Sequence, residues 1–413
     1  MNLVNPPATP GLRERADLSL SHNESHQAVP AVQGGRRPHI CFVAPLAWPV
    51  LARAADIDVI GGAEVQQVIL ARSLARAGYR VSMICLDFGQ PQQAVVDGVT
   101  VYKSHRPEGG VPVLRFIYPR MTTMWQAMRA ANADIYYQRC SAMLTSLVAE
   151  FCRRYGKRSI YAGASDTDFI PGRQEIRYRR DRWLFERGLA RVDRLVVQNV
   201  TQQRACHANY GREATLIPSC YERPPNARPG SGASILWVAT LHQYKRPELF
   251  LELARHLPHR RFVMVGGPAF EGSKRGSYFE DIRAAARTLP NLEFTGFLPL
   301  AQVEPYFDQA RVFVNTSVYE GMPNTFLQAW SRGVPTVAFV DTGATLGGTP
   351  LYQVATSVEQ VTAEVERLLT DEPYWARASQ RAREYFERTH SCAGVLARYS
   401  QLFNELMQEP GRG

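Results

Sequence analysis

A short apolar run, His39-Ile40-Cys41-Phe42-Val43-Ala44, precedes a Gly61-Gly62 pair and a stretch carrying Val65, Val68, Ile69 and Ala75 at helical spacing. Gly78 and a second apolar run, Arg80 to Leu86, follow. An unbroken apolar run of this length suits a strand buried on both faces, and such strands belong to parallel sheets joined by helices. Glycine after the helical stretch tolerates the left-handed backbone of a helix end. The order is strand, glycine loop, helix, strand, the unit from which α/β folds are built.

The alternation continues through Ile135-Tyr136-Tyr137, a helix near 141–153, Ser159 to Ala162, a helix near 178–190 and a strand at 194–198. It stops at 222–233, Glu-Arg-Pro-Pro-Asn-Ala-Arg-Pro-Gly-Ser-Gly-Ala, which is rich in turn formers and reads as a linker. It restarts with strands at 235–239 and 261–266 around a helix at 248–256, then apolar runs at 292–294, 312–314 and 334–338. Ser357-Val358-Glu359-Gln360 has the form of a capping box and opens a helix bearing Val361, Val365, Leu368 and Leu369. An arginine-rich amphipathic segment spans 376–408. The predicted class is α/β, with two doubly wound lobes facing a cleft. Residues 1–37 lack apolar periodicity and are expected to form a disordered leader.

At ~150 residues per domain, 413 residues make roughly two or three domains. No stretch approaches the ~20 apolar residues of a membrane-spanning helix. The first 30 residues, with Pro6, Pro7, Glu14, Asn23 and Glu24, lack the apolar block of a secretory signal. Seven cysteines form no C-x-x-C pair, which suits reduced thiols better than a disulfide or zinc framework. Secreted, fibrous and integral-membrane classes are thereby excluded, and a cytoplasmic location is expected. The formal charge of +10 has three readings: a solvated basic surface, attraction to an anionic membrane, or attraction to phosphorylated substrates. Nucleic acid is not expected, because the arginines are dispersed and no nucleic-acid motif is present.

The segment Asn315 to Trp330 follows an apolar strand, so Glu320 falls in the loop beyond a strand's carboxyl end, where open α/β sheets bind ligands. Pro323 suits the first turn of a helix, and the amides of Asn324 to Leu327 would then form a phosphate cradle. Gln328 lies one turn further on. Equally, Glu320 and Gly321 fit a plain turn. Thr240 to Pro247 follows the first strand of the second lobe and places Lys245 and Arg246, in an exposed loop, where a diphosphate would be met. Gly61-Gly62 holds the matching edge of the first lobe, either for close backbone approach to phosphate or as a structural turn.

From about residue 38 to residue 408 the chain resembles a family 4 glycosyltransferase of the GT-B fold, two Rossmann-like lobes around a cleft. Gly61-Gly62-Ala63-Glu64 resembles that family's amino-lobe glycine motif, and Lys245-Arg246-Pro247 its donor-phosphate lysine segment. Gly296-Phe297-Leu298-Pro299 resembles the loop beside the nucleotide base. Glu320 to Trp330, followed by Gly333-Val334-Pro335, resembles the signature of a glutamate, seven residues, and usually a second glutamate. Here the second position is Gln328, an arginine usual before the lysine is replaced by Thr240, and a histidine common near 164–168 is missing.

The resemblance implies retaining transfer of a sugar from a nucleotide diphosphate sugar to an acceptor hydroxyl, with Glu320 and Lys245 catalytic. It implies donor contacts from Gly61, Gly62, Thr240, Arg246, Phe297, Leu298, Gly321, Met322, Asn324, Thr325 and Gln328, the last toward ribose. Gln328→Glu is expected to stay active, since it restores the usual residue. An acceptor lobe at 38–221, a linker at 222–233, a donor lobe at 234–385 and a C-terminal helix at 386–413 packing back toward the first lobe are expected. No cofactor or metal beyond the nucleotide sugar is expected. Asp166-Thr167-Asp168 has the D-x-D spacing of a manganese site, as does Asp56-Ile57-Asp58, but neither has partner ligands nearby. Acceptor contact, loop capping and a surface ion pair are the other readings of Asp166 and Asp168. The acceptor is expected to be a saccharide or a lipid-linked one, in bacterial surface polysaccharide or glycolipid synthesis. Arginines at 173, 177, 179, 180, 182, 187, 191 and 194, interleaved with Tyr178, Trp183 and Phe185, read either as a solvated helix face or as a surface for anionic lipid. Met121, Met124, Trp125 and Met128 would extend that surface or lie in the core. A catalytically impaired binding subunit is one alternative. A nicotinamide-dependent oxidoreductase is the other, weakened by the lack of G-x-G-x-x-G after the first strand.

Overall fold

The computed structural model describes residues 36–53, 61–109, 117–227, 232–268 and 275–410. Most of the expected leader, Asp56-Ile57-Asp58 and linker residues 228–231 lie outside the described residues. The first sheet has eight strands: β1 (Ile40–Val43), β2 (Val81–Cys85), β3 (Gln93–Val96), β4 (Val99–Lys103), β5 (Ile135–Arg139), β6 (Arg158–Ala162), β7 (Arg194–Val197) and β8 (Thr215–Leu216). Their spatial order is β3-β4-β2-β1-β5-β6-β7-β8. Ile40 pairs with Val81 on one side and Ile135 on the other, both parallel. All four residues of β1 are fully buried, as a central strand with helices on both faces must be.

Within this sheet, among the described residues, only β3 and β4 pair antiparallel. The sequence reading passed over this hairpin. Its signal was Asp97-Gly98, both at positive φ (49° and 79°), the conformation that turns a two-residue hairpin.

The second sheet contains β9 (Ser234–Val238), β10 (Phe262–Val265), β11 (Leu292–Gly296), β12 (Ala310–Asn315) and β13 (Thr336–Ala338), in the order β11-β10-β9-β12-β13. All its pairs are parallel. The fold is thus two doubly wound α/β lobes. The Ser357 box forms by half: its hydroxyl caps Gln360 N–H at 3.4 Å, while Gln360 Oε1 accepts from Thr356 N–H.

The amphipathic segment after residue 371 is two helices, Glu372–Thr389 and Cys392–Gln408. Tyr221 pairs with Ser391 in a parallel bridge and donates its N–H to His390 O at 3.1 Å, which breaks the helix there. Ala382, Tyr385 and Phe386 of the first helix join the core of the second lobe. Val395, Leu396, Tyr399, Leu402, Phe403 and Leu406 of the second pack into the core of the first lobe, with Ile40 and Val81. Met124 and Met128 are core residues, whereas Met121 and Trp125, packed against the same cluster, stay partly exposed and line a hollow together with Arg187 and Arg191.

Candidate active site

A parallel sheet binds ligands where its strand order reverses, because helices there leave to opposite faces and open a crevice. In the second sheet that place is the carboxyl ends of β9 and β12, from which two loops emerge side by side. They are stitched together. Trp237 Nε1 donates to Thr316 Oγ at 2.9 Å, Thr316 Oγ donates to Lys245 O at 2.5 Å, and Val318 N–H donates to Tyr244 O at 2.8 Å. This fixes the backbone beneath Lys245 and Glu320, whose side chains form an ion pair. Ser317 Oγ donates to the same Glu320 oxygen at 2.7 Å. Lys245 is 14% exposed and Glu320 13%, so Lys245 is a partly buried, paired cation and not an exposed one.

Both belong to the wall of a cavity of about 500 Å³ between the lobes. It brings together Gly61, Gly62, Thr240, Phe297, Leu298, Gly321, Met322, Asn324, Thr325 and Gln328. Two helices, Gly62–Arg76 and Asn324–Ser331, start at this cavity, and their free N–H groups favour an anion. Pro323 stands just before the second helix and does not form its first turn. Phe326 N–H donates to Pro323 O at 3.1 Å and Leu327 is fully buried, so the expected cradle narrows to Asn324 and Thr325. Asn324 also ties the lobes, donating to Gly62 O at 2.9 Å and accepting from Gln66 Nε2 at 2.8 Å. A side chain at Gly321 would place Cβ 3.1 Å from Ala164 O across the cleft, which explains the glycine.

Two expectations fail on geometry, and a third is narrowed. Arg246 is absent from the cavity wall: its Nε donates to Thr316 O at 2.8 Å and its guanidinium lies over Phe339, 4.7 Å from the ring centre. Asp168 is 2% exposed and turned inward, with one carboxylate oxygen accepting from Ala164 N–H, Ser165 N–H and Tyr161 OH. It caps a short 3-10 turn, and burial raises its pKa above the ordinary aspartate value. Gln328 lines the cavity, but its Nε2 donates to Glu304 Oε1 at 2.9 Å. Tyr221 OH donates to that same oxygen, and the other oxygen holds fully buried Arg332 at 2.6 Å.

Asp166 lies beside Glu320 and Gly321 in a second cavity of about 870 Å³, its Oδ1 accepting from Asn199 and Gln202 at 3.0 Å. Among the described residues no three or more His, Cys, Asp or Glu side chains group as metal ligands. A larger hollow of about 1360 Å³ opens near Asp134, Ser159 and Asp193, at the opposite ends of the strands, and contains none of these residues. Sequence reasoning missed Arg139, Glu175 and Tyr221 in the cavity wall, and Glu304 behind it. Arg139 carried a signal, as it ends an apolar strand on the ligand-binding edge; Tyr221 and Glu304 carried none.

No curated protein matches the chain in sequence. Among solved structures, sucrose-phosphate synthase from Thermosynechococcus elongatus superposes with a TM-score of 0.69 at 19% identity, over 90% of this chain and 99% of that one. HepE from Anabaena, solved in complex with UDP and glucose, gives 0.66 at 14% identity over 90% and 100%. The lipopolysaccharide outer core galactosyltransferase WaaB gives 0.56 at 14% identity over 89% and 100%. Residues 60–221 match the glycosyltransferase family 4 and residues 232–371 the glycosyl transferases group 1. With both lobes matched in order and the fold shared along nearly its whole length, the chain is a GT-B glycosyltransferase of the family 4 type.

Proposed function

We propose that the enzyme moves a sugar from a nucleotide diphosphate sugar to a hydroxyl of a saccharide or lipid-linked acceptor, with retention at the anomeric carbon. The observation that carries this reading is the Lys245–Glu320 pair, held at a strand-order reversal and facing two helix N-termini. On donor binding, Lys245 leaves Glu320 for the diphosphate, and the Glu320 carboxylate is freed to accept hydroxyls of the sugar. The bond from the anomeric carbon to the phosphate oxygen breaks as the acceptor oxygen bonds to that carbon. The acceptor proton passes to the leaving phosphate oxygen. Charge is thereby stabilised on both sides of the breaking bond. Asp166, in the cavity adjoining Glu320, is the proposed acceptor contact.

The acceptor belongs to surface polysaccharide or glycolipid synthesis at the inner face of a membrane. Among the described residues no helix is long and apolar enough to cross one. The support is the basic segment: Arg173, Arg177, Arg179, Arg180, Arg187 and Arg191 are exposed, with Tyr178 54% and Trp183 57% exposed among them. Exposed aromatics amid arginines suit an anionic headgroup layer, and Glu175 of the same segment reaches the cavity wall.

Thermal shift with UDP-, GDP- and ADP-sugars, then transfer to sugar acceptors, tests the main reading, because a ligand of the native state raises Tm. Protection by one nucleotide class followed by transfer is expected. No protection by any of them would overturn it.

A further inference from the structure

Each sheet reverses its strand order once, and the two reversals meet at one cavity. The second lobe presents the Lys245–Glu320 pair there. In the first sheet the reversal lies between β1 and β5, and β5 ends on Arg139. Arg139 is 8% exposed, yet it lines the same cavity as Gly61, Gly62 and Ser165. Its Nη2 donates to Ser219 Oγ at 3.3 Å, and its Nε is buried without a partner among the described residues. The Tyr137 hydroxyl accepts a hydrogen bond from it, Tyr399 faces it, and Glu64 faces it with a carboxylate outside ion-pair distance. No ion pair among the described residues includes Arg139.

A buried guanidinium is always charged, and leaving it without a carboxylate costs several kcal/mol, on the order of what a buried pair loses when one partner is removed. The cost persists where a ligand completes the site. Thr240 supplies no cation, Arg246 is turned onto Thr316, and Lys245 is already paired. Arg139 is therefore the fixed cation of the cavity wall with charge to spare. Its planar fork of donors matches a phosphate or carboxylate with two parallel hydrogen bonds.

We propose that Arg139 is an oxyanion receptor on the amino-lobe wall of the cleft. It takes either the diphosphate of the donor or an acidic group on the acceptor sugar. The assignment rests on reading the cavity as a nucleotide-sugar site.

The test compares wild type, Arg139→Met and Arg139→Lys, with Tm and ligand affinity measured on each. The Tm of free Arg139→Met serves as the check that the variant folds. Its affinity should fall at least tenfold for one class of probe. Loss for UDP, GDP, ADP or inorganic pyrophosphate names the donor diphosphate; loss for glucose 6-phosphate or glucuronate names the acceptor. Arg139→Lys should keep part of that affinity, as a point charge without the fork. If the methionine variant fails to fold, the lysine variant carries the comparison alone. Unchanged affinity for every probe overturns the proposal whatever happens to Tm, and so does a wild type that no probe protects. A wild type that binds pyrophosphate or a sugar acid through Arg139 but no nucleotide would sink the nucleotide-sugar reading and leave the receptor standing.

Discussion

The two lobes bring opposite electrostatic states to one cleft. On the carboxyl lobe, Lys245 is neutralised in advance by Glu320, and both are steadied by Ser317 and by the stitched loops beneath them. On the amino lobe, Arg139 is held by the hydroxyls of Ser219 and Tyr137 and leaves a buried N–H unspent. A preformed pair stabilises the empty enzyme and must open to work, whereas an unpaired buried cation weakens the empty enzyme and gains only on binding. Neighbouring Arg246 shows the third possibility, a cation wholly spent on structure.

The largest expected effect breaks the pair. Glu320→Gln and Lys245→Ala should each lower kcat by roughly 100-fold or more in steady-state assays, as loss of one preorganised charge partner does. Full turnover in either variant would remove that residue from the chemistry.

The next concerns the joint between the lobes. His390 is 1% exposed and its Nδ1 is in contact with Ser219 O at 2.7 Å, one residue's reach from Arg139. Burial pushes its pKa down from 6.5 to about 4. Between those values the unfolded chain takes up a proton that the folded one refuses, so stability falls as pH drops from 6.5 toward 4. The contribution is roughly 3 kcal/mol at the acid end. Urea unfolding of wild type and His390→Gln at pH 7 and pH 4 isolates it: wild type should lose more across that interval by about this amount. Equal losses would mean that His390 is protonated in the fold.

Gln328→Glu sharpens the contrast on the carboxyl lobe. A second carboxylate would stand where Nε2 now donates to Glu304 at 2.9 Å, and like charges in a buried site repel. The sequence-based expectation was that the variant stays active, and the structure adds a cost that this expectation did not include. We expect a loss of roughly 2 kcal/mol in unfolding at pH 7 and a raised KM for the donor. A variant as stable as wild type would show that Glu304 is free to move aside.

The smallest effect is Arg246→Ala, which should cost about 1 kcal/mol through the Thr316 hydrogen bond and the Phe339 ring contact while leaving the donor KM within twofold. A tenfold rise in KM would return Arg246 to the cleft.

Much of this fold was legible because its strands are buried on both faces: β1, β2, β9 and β12 announce themselves as unbroken apolar runs. The edge hairpin was not, since Gln93–Val96 is half exposed and carries a weak pattern. In the site, loop residues near strand ends were legible by position, which located Lys245 and Glu320. Side-chain direction was not. Arg246 follows Lys245 directly but adopts a left-handed backbone (φ 46°) that turns it onto the neighbouring loop. Nor could spacing reveal that Glu304, on a different helix, already occupies Gln328.

The last helix has a consequence for how the protein is made. Tyr399 reaches back to Tyr137, 262 residues earlier in the chain, with their hydroxyls 3.2 Å apart, and its helix fills the core around β1. A ribosome releases the amino lobe first, yet that lobe lacks one wall until residues 392–408 emerge. Through synthesis of the entire carboxyl lobe, the apolar surface around Ile40, Tyr79 and Val81 stays uncovered, a long interval for an aggregation-prone face. The half that is translated first completes its core only with residues translated after the whole second sheet.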